Sequence, residues 1–337
     1  MATYALALDP ITVFYGGWPR SEKERAHSEE YARFVEETLL RAGFSARRLE
    51  MSRENLRSFL KDPGSTVVYN ALYGWFGEDG TIPGILEFYG VSYTGCGPLA
   101  SALTFDKFRC GRLMSASGIR VPRSLLIETN GDILDCSSCG DKPTGLEKSG
   151  SGELELSVLG SPVVVKPNRG SFGSALTLVH CVPELAGAVV ETKRFGSEVI
   201  LQEFIEGHDI HVPVLCGRAL EPAQSVVRRS AESVSGHSFS TAQRTYLIPA
   251  ELTQDLIQTA KRIAECAYAL AGCRGLCRAD LRVTSGGEVA FLEVNTQHSI
   301  RPISIALRSG AAVGLSPEDM LQAVLQDRWA GSEVKAL

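Results

Sequence analysis

Apolar positions recur along this chain in two periods, and the first third alternates between them. Thr3–Leu8 and Thr12–Tyr15 have the pattern of short buried strands. Ser21–Ala42 has helical spacing with acidic residues early and Gly43 at its close, and Thr66–Tyr69 is another buried-type strand. Strand and helix in alternation predict a small α/β domain with a parallel sheet. The turn Gly16-Gly17 ahead of Glu22 and Glu24 lies where strand hands over to helix, the place where such sheets put ligand contacts. Glu22 fits equally well as a first-turn acid favoured by the helix dipole.

Periodicity lapses over Asn70–Gly84, NALYGWFGEDGTIPG, whose glycines and acids describe a loop of fixed shape. An amphipathic stretch, Ile85–Tyr89, leads to Tyr93-Thr94-Gly95-Cys96-Gly97 and to a helix predicted to run through Asp106-Lys107. A second domain is expected from about Cys96. Asp135–Leu159, rich in Ser, Gly and charge, has the composition of a surface excursion. It ends at the buried strand Pro162–Pro167, which carries Lys166 at its exit, followed by Asn168-Arg169-Gly170-Ser171-Phe172-Gly173. A lysine beside a short glycine turn suits phosphate binding, although a hairpin turn with a solvated lysine has the same pattern.

Val199–Glu206 is an apolar strand ending in mixed aromatic and polar residues, suited to a hinge that grips a flat base, with Asp209 placed to accept from ribose hydroxyls. The polar, Ser-rich Arg228–Tyr246 is a candidate lid. Thr253–Leu270 predicts a helix with one apolar face, and Ser316–Trp329 a last amphipathic helix opened by Ser316-Pro317. Between these helices, Leu276–Val283 and Glu288–Val294 flank Ser285-Gly286-Gly287 and predict a β-hairpin. Asp280, Glu293 and Asn295 on its strands form a hard-cation set suited to Mg²⁺ bridging phosphates. Solvated edge acids are the alternative reading of the hairpin alone.

Composition narrows the partners. At 337 residues the chain is long enough for two or three domains. A net charge of -5 argues against a nucleic-acid or membrane-surface protein and leaves small molecules, or a second copy, as expected partners. No apolar run approaches a membrane span and the N-terminus lacks signal-peptide features, so a cytoplasmic location is expected. The nine cysteines sit mostly in apolar segments, as small core residues of a reducing compartment do. Only Cys136-Ser-Ser-Cys139 has metal-like spacing, without a second pair.

Taken in order, Gly16-Gly17…Glu22, GEDGT at Gly77–Thr81, YTGCG followed by Asp106-Lys107, VVVKP, EFIEG and RADLRV…FLEVN resemble the D-alanine–D-alanine ligases of the ATP-grasp superfamily, from about residue 12 to 327. The resemblance implies an α/β three-domain ATP-grasp fold: an N-terminal Rossmann-like substrate domain over 1–95, a central subdomain over 96–206 and a C-terminal metal-bearing subdomain over 207–337. It implies that Lys107 and Lys166 bind ATP phosphates under a loop at Gly170-Ser171. Gln202, Phe204 and Ile205 would line the adenine hinge and Asp209 would take the ribose. Asp280, Glu293 and Asn295 would hold Mg²⁺, two ions in all. Arg278 would stabilise charge on the transferred phosphoryl and the tetrahedral intermediate, Glu22 would hold the first amino group, and Ser304 the second carboxylate. A homodimer is also implied.

Three departures from the family pattern stand out. Where the family reads NTxPGMTxxS, this chain reads Asn295-Thr296-Gln297-His298-Ser299-Ile300-Arg301-Pro302-Ile303-Ser304, which puts Ser299 at the oxyanion glycine and a new cation, Arg301, beside the second-substrate pocket. The lid lacks its Lys-Tyr pair, with Ser238-Phe239 in its place, leaving Arg228, Arg229 or Arg244 for the γ-phosphate. Tyr73 replaces a histidine before the GEDG loop. The resulting expectation is an ATP- and Mg²⁺-dependent carboxylate–amine ligase acting through an acyl phosphate and joining an amino acid to a non-standard partner in a specialised pathway. A genuine D-alanine–D-alanine ligase is the alternative, and an ATP-binding regulatory protein the alternative of another class.

Overall fold

The computed structural model describes residues 10–16, 22–128, 133–135, 159–170, 176–228, 243–298 and 300–328. The predicted strand Thr3–Leu8, the pair Cys136/Cys139 and the lid positions His237, Ser238 and Phe239 lie outside them.

The N-terminal unit follows the predicted alternation. It comprises β1 (Ile11–Gly16), α1 (Glu22–Arg41), β2 (Ala46–Met51), α2 (Arg53–Lys61), β3 (Val67–Asn70), α3 (Thr81–Phe88) and β4 (Ser92–Tyr93), with all pairings parallel in the order β2-β1-β3-β4. Ile11, Val13 and Phe14 of β1 are fully buried, as expected of a strand covered on both faces. Ser52 caps α2 by accepting from the Asn55 amide at 3.0 Å.

The helix predicted through Asp106-Lys107 is two helices, α4 (Pro98–Phe105) and α5 (Lys107–Ala116). Asp106 adopts an extended conformation and its carboxylate accepts from the Arg109 amide at 3.0 Å, so its preference for an N-cap breaks the run. The same carboxylate receives Arg169, and the two residues form an isolated β-bridge.

The second sheet is antiparallel: β5 (Ser124–Ile127), β6 (Ile133–Asp135), β7 (Val163–Pro167), β8 (Thr177–Val179) and β9 (Val199–Glu203), ordered β6-β5-β9-β7-β8, with α6 (Val182–Lys193) packed on it. The third, also antiparallel, comprises β10 (His208–Leu215), β11 (Arg218–Ala219), β12 (Ala223–Arg228), β13 (Gln243–Leu247), β14 (Leu276–Val283) and β15 (Val289–Asn295), ordered β13-β12-β10-β14-β15, with β11 beside β10. Against it lies α7 (Gln254–Leu270), burying Ile257, Ala260, Ala264 and Ala267 along the predicted apolar face. The chain continues through α8 (Ile305–Ala312) to α9 (Pro317–Gln326), which Ser316 and Asp319 open with a capping box. Leu321 and Val324 of α9 join the core of the first sheet beside Ile11 and Val35, so the C-terminal segment returns to the N-terminal unit.

Among the described residues no helix is long and apolar enough to cross a membrane. One glycine governs how the second and third sheets join. Gly207 lies between β9 and β10 at φ 154°, and a Cβ there would overlap the Val283 carbonyl oxygen, a backbone atom that cannot swing aside. Gly207→Ala is therefore expected to cost on the order of 3 kcal/mol, read as a fall in the denaturation midpoint at unchanged slope. A cost below about 1 kcal/mol would show that the hinge yields.

Candidate active site

The β14–β15 hairpin places polar groups by register. Asp280 lies opposite Glu293 and Arg278 opposite Asn295, so all four stand on one face of the sheet. Cys277, Ala279 and Leu281 project the other way into the core beneath α7. Directly after Asp280 and Glu293 the register shifts, which leaves Leu292 unopposed and turns the strand.

Asp280 is the electrostatic centre of this face. Arg278 grips it as a fork, Nε to Oδ1 at 2.6 Å and Nη2 to Oδ2 at 2.8 Å. From the neighbouring strand His211 Nδ1 meets Oδ1 at 2.7 Å. Burial opposes ionisation of Asp280, but the Arg278 charge and the bonds from His211 and Arg278 outweigh it, holding the carboxyl well below the usual range. Arg278 is likewise held protonated against its burial by Asp280.

His298 completes the constellation. Its Nδ1 lies 3.1 Å from Arg278 Nη1 and its Nε2 lies 3.2 Å from the Ala306 amide at the start of α8. Burial first, then the Arg278 charge, push its pKa far down, so the ring is neutral. A neutral imidazole has one acceptor nitrogen, so these two donors compete for it.

Two lysines face the hairpin from the second sheet and α5. Lys107 donates to the Gly170 carbonyl at 2.6 Å and lies 3.7 Å from Glu293. Buried Asn168 locates it, accepting from the Phe108 amide at 3.0 Å while its carbonyl accepts from the Lys107 amide. Lys166, at the exit of β7, has its pKa pushed down to about 8 by burial, with Lys107 adding to the effect and Glu293 opposing it. Ser171 lies outside the described residues.

Between these elements a cleft is lined by Lys107, Phe108, Ile200, Gln202, Phe291 and Leu292. Gln202 donates to Ser124 Oγ at 2.9 Å, and Ile205 is buried just beyond it. Arg282 organises the hinge: it donates to the Ile205 carbonyl, pairs with Asp209, and lies over the Phe204 ring at 5.4 Å. Asp209 is thus oriented by a cation, with acceptor capacity to spare.

The remaining sequence-selected residues fall into two groups. Glu22 opens α1, with its side chain outside the described residues, as is Ser299. Tyr73 packs at 5.8 Å from Tyr31 beside the GEDG loop, whose shape comes from its own acids. Glu78 accepts from the Gly74 amide, and Asp79 from those of Phe76 and Thr81. Ser304 caps α8, accepting from the Leu307 and Arg301 amides, so its own proton is free to be donated. Arg301 is buried and donates to Glu30 of α1 at 3.1 Å, with no partner at Nε among the described residues. Its charge is spent largely on the N-terminal unit. Across the lid, β12 and β13 pair, and residues 229–242 between them, including Arg229, are not described.

His211 went unnoticed in the sequence, and Asn168, Asp106 and Arg282, though they lie in the motifs quoted, were given no role of their own. Arg282 had a signal, since Arg278, Asp280 and Arg282 alternate along one strand face. His211 had none, because only register sets it beside Asp280.

The candidate metal-ligand set withstands a count of lone pairs. Asp280 Oδ2 accepts one bond, Asn295 Oδ1 accepts one from the Gln297 amide, and among the described residues Glu293 pairs with the distant Lys107, so each keeps an acceptor that could serve a hard cation.

Comparison with known proteins agrees with this geometry. The family profile described as D-ala D-ala ligase C-terminus matches residues 144–326. The D-alanine–D-alanine ligase of Actinobacillus pleuropneumoniae serotype 5b is 32% identical over 319 residues, covering 94% of this chain and 97% of that protein. That of Haemophilus influenzae is 31% identical over 305 residues, covering 90% and 96%. Among solved structures, the D-alanine–D-alanine ligase of Bacillus anthracis complexed with ATP superposes with a TM-score of 0.78 at 22% identity, covering 97% of this chain and 98% of that one. The VanG D-Ala:D-Ser ligase of Enterococcus faecalis gives 0.77 at 23% identity, covering 95% and 99%. A parallel sheet set beside two antiparallel sheets that meet at the cleft bearing Lys107 matches the ATP-grasp fold of these ligases. The chain belongs to the D-alanine–D-alanine ligase family.

Proposed function

We propose that this protein forms D-alanyl-D-alanine from two molecules of D-alanine, with ATP and Mg²⁺. The supporting observation is the single polar face carrying Arg278, Asp280, Glu293 and Asn295 opposite Lys107 and Lys166. The relatives named above are D-alanine–D-alanine or D-Ala:D-Ser ligases, which favours this reading over a non-standard partner. The pairing of Arg301 with Glu30 favours it too, because the cation that suggested an altered acceptor is already engaged.

In this mechanism Lys107 and Lys166 hold the phosphates, and the hinge at Gln202, Phe204 and Ile205 holds the base, with Asp209 at the ribose. Asp280, Glu293 and Asn295 would hold Mg²⁺, which would supply charge neutralisation to the phosphates. The donor carboxylate takes the γ-phosphoryl group and ADP departs. The acceptor amine then attacks the acyl phosphate, and phosphate leaves as the amide forms. Arg278, held rigid by Asp280, is placed to neutralise charge that develops in both steps. Glu22 would receive the donor amino group, with Tyr73 beside it, and Ser304 the acceptor carboxylate near the Ser299 backbone and Arg301.

The deciding assay is phosphate release with ATP, Mg²⁺ and D-alanine alone, against a panel of D- and L-amino acids. Turnover with D-alanine alone is expected. Turnover only with a different carboxylate–amine pair would overturn the substrate assignment, and no stimulation by any carboxylate would overturn ligation altogether.

Lys166 adds a pH dependence. Its free-enzyme pKa of about 8 lies below the ordinary lysine value, and bound phosphates favour its charged form, so ATP binding takes up a proton above that pH. ATP affinity is expected to fall up to about tenfold per pH unit as pH rises beyond about 8. Lys166→Arg, charged throughout, should flatten the profile. An unchanged slope in that variant would assign the dependence elsewhere.

A further inference from the structure

Away from the ATP cleft, three buried cysteines from two distant segments converge. Cys96 lies just before α4, while Cys273 and Cys277 bracket the turn that enters β14, and the three Sγ atoms all lie within 4.8 Å of one another. Cys96 Sγ is 3.6 Å from Cys277 Sγ and accepts from the Arg274 amide at 3.3 Å. The Arg274 carbonyl oxygen lies 3.6 Å from both of these sulfurs. Gly275, at φ 67°, allows the approach, since a Cβ there would stand 3.4 Å from Gly95 Cα. None of these positions has the CxxC spacing that singled out Cys136 and Cys139.

A core that needed only small apolar side chains would not require three sulfurs to meet, nor a backbone N–H aimed at one of them. Tetrahedral zinc bonds of about 2.3 Å put ligand sulfurs about 3.8 Å apart, close to the 3.6 Å between Cys96 and Cys277, and the Cys273 sulfur, within 4.8 Å of both, needs to move by no more than about 1 Å. With only sulfur ligands in the set, the site selects soft ions over Mg²⁺. We propose that Cys96, Cys273 and Cys277 form a three-thiolate site for a soft divalent ion of the Zn²⁺ class, with the Arg274 carbonyl facing the fourth position. Binding displaces the protons that remain on the thiols. Because Cys277 directly precedes Arg278, the bound ion ties the start of β14 to the segment entering α4 and steadies the catalytic arginine from behind the sheet.

The test is titration of the reduced, metal-free full chain with Co²⁺, followed by Zn²⁺. One equivalent of Co²⁺ should produce a thiolate-to-cobalt charge-transfer band, which oxygen ligands at the hairpin cannot give, and one equivalent of Zn²⁺ should abolish it. The band should be lost in C96A and C277A and kept in C110A, which removes a buried cysteine outside the trio. Wild-type protein decides the matter even if a variant fails to fold, since Zn²⁺ should raise its melting temperature by several degrees and a zinc chelator should reverse the rise. Absence of the band in folded wild-type protein, its survival in folded C277A, or a Cys96–Cys277 disulfide that leaves no site for cobalt would overturn the proposal.

Discussion

Replacing Arg278 with methionine is expected to lower kcat/KM for ligation about 10³-fold while leaving the KM for ATP nearly unchanged. The guanidinium is bound as a fork by Asp280, touches His298, and belongs to the same face as the metal-ligand set. Such preorganisation matters most where charge develops during reaction, because the donor does not have to reorient at that moment. Methionine keeps the stem's packing and removes only the charge and its hydrogen bonds. Arg278→Lys should fall between the two, since a point charge cannot bind both Asp280 oxygens in one plane. Steady-state kinetics on both variants would check this, and a loss below tenfold in Arg278→Met would remove the residue from the chemistry.

Asp280→Asn is expected to destabilise the protein by about 3–5 kcal/mol and to abolish measurable ligation. The carboxylate is buried between Arg278 and His211, which meets it through Nδ1 and whose Nε2 has no hydrogen-bond partner among the described residues. Removing the anion leaves a buried guanidinium without its counter-charge, which costs more than the ion pair itself contributes. The pH dependence has a definite sign. Because the folded-state pKa of Asp280 is depressed, its contribution is fully present above the unfolded value of about 3.9 and is lost as pH falls toward the folded value. Urea titrations at neutral pH and near pH 3 should therefore show wild-type stability falling with acid more steeply than that of Asp280→Asn. Parallel declines would place the acid sensitivity in other groups.

Much of the architecture was legible because local and global demands agree. The run Ile11–Gly16 is apolar because helices cover both faces of a parallel sheet, and the hairpin at Leu276–Asn295 announced itself through two strand-like runs around Ser285-Gly286-Gly287. Thr253 and Ser316 marked helix starts that the structure places one residue later. The break at Asp106 was missed because residues on both sides favour a helix. The carboxylate's contact with Arg169, 63 positions away, is what adds to its capping role.

The departures at His298 and Arg301 were visible in the sequence, but their consequences were not. Arg301 suggested a charge offered to a substrate; folding carries it onto Glu30, 271 residues away in the chain. His298 marked an altered loop, and only packing shows it pressed against Arg278. The cysteines show the same limit. Spacing drew attention to Cys136 and Cys139, whereas the described cluster joins Cys96 to Cys273 and Cys277 across more than half the chain.

The sequence by itself determined the family, and with it the reaction class, because the motif blocks stand along the chain in the family's order. It also determined the elements that carry them, through hydrophobic period and capping. The tertiary structure alone decided which charges neutralise one another. Ion pairing and thiol clustering depend on distances of a few ångströms between residues far apart in sequence, and those distances are set by sheet register and by the return of the C-terminal helices to the first domain.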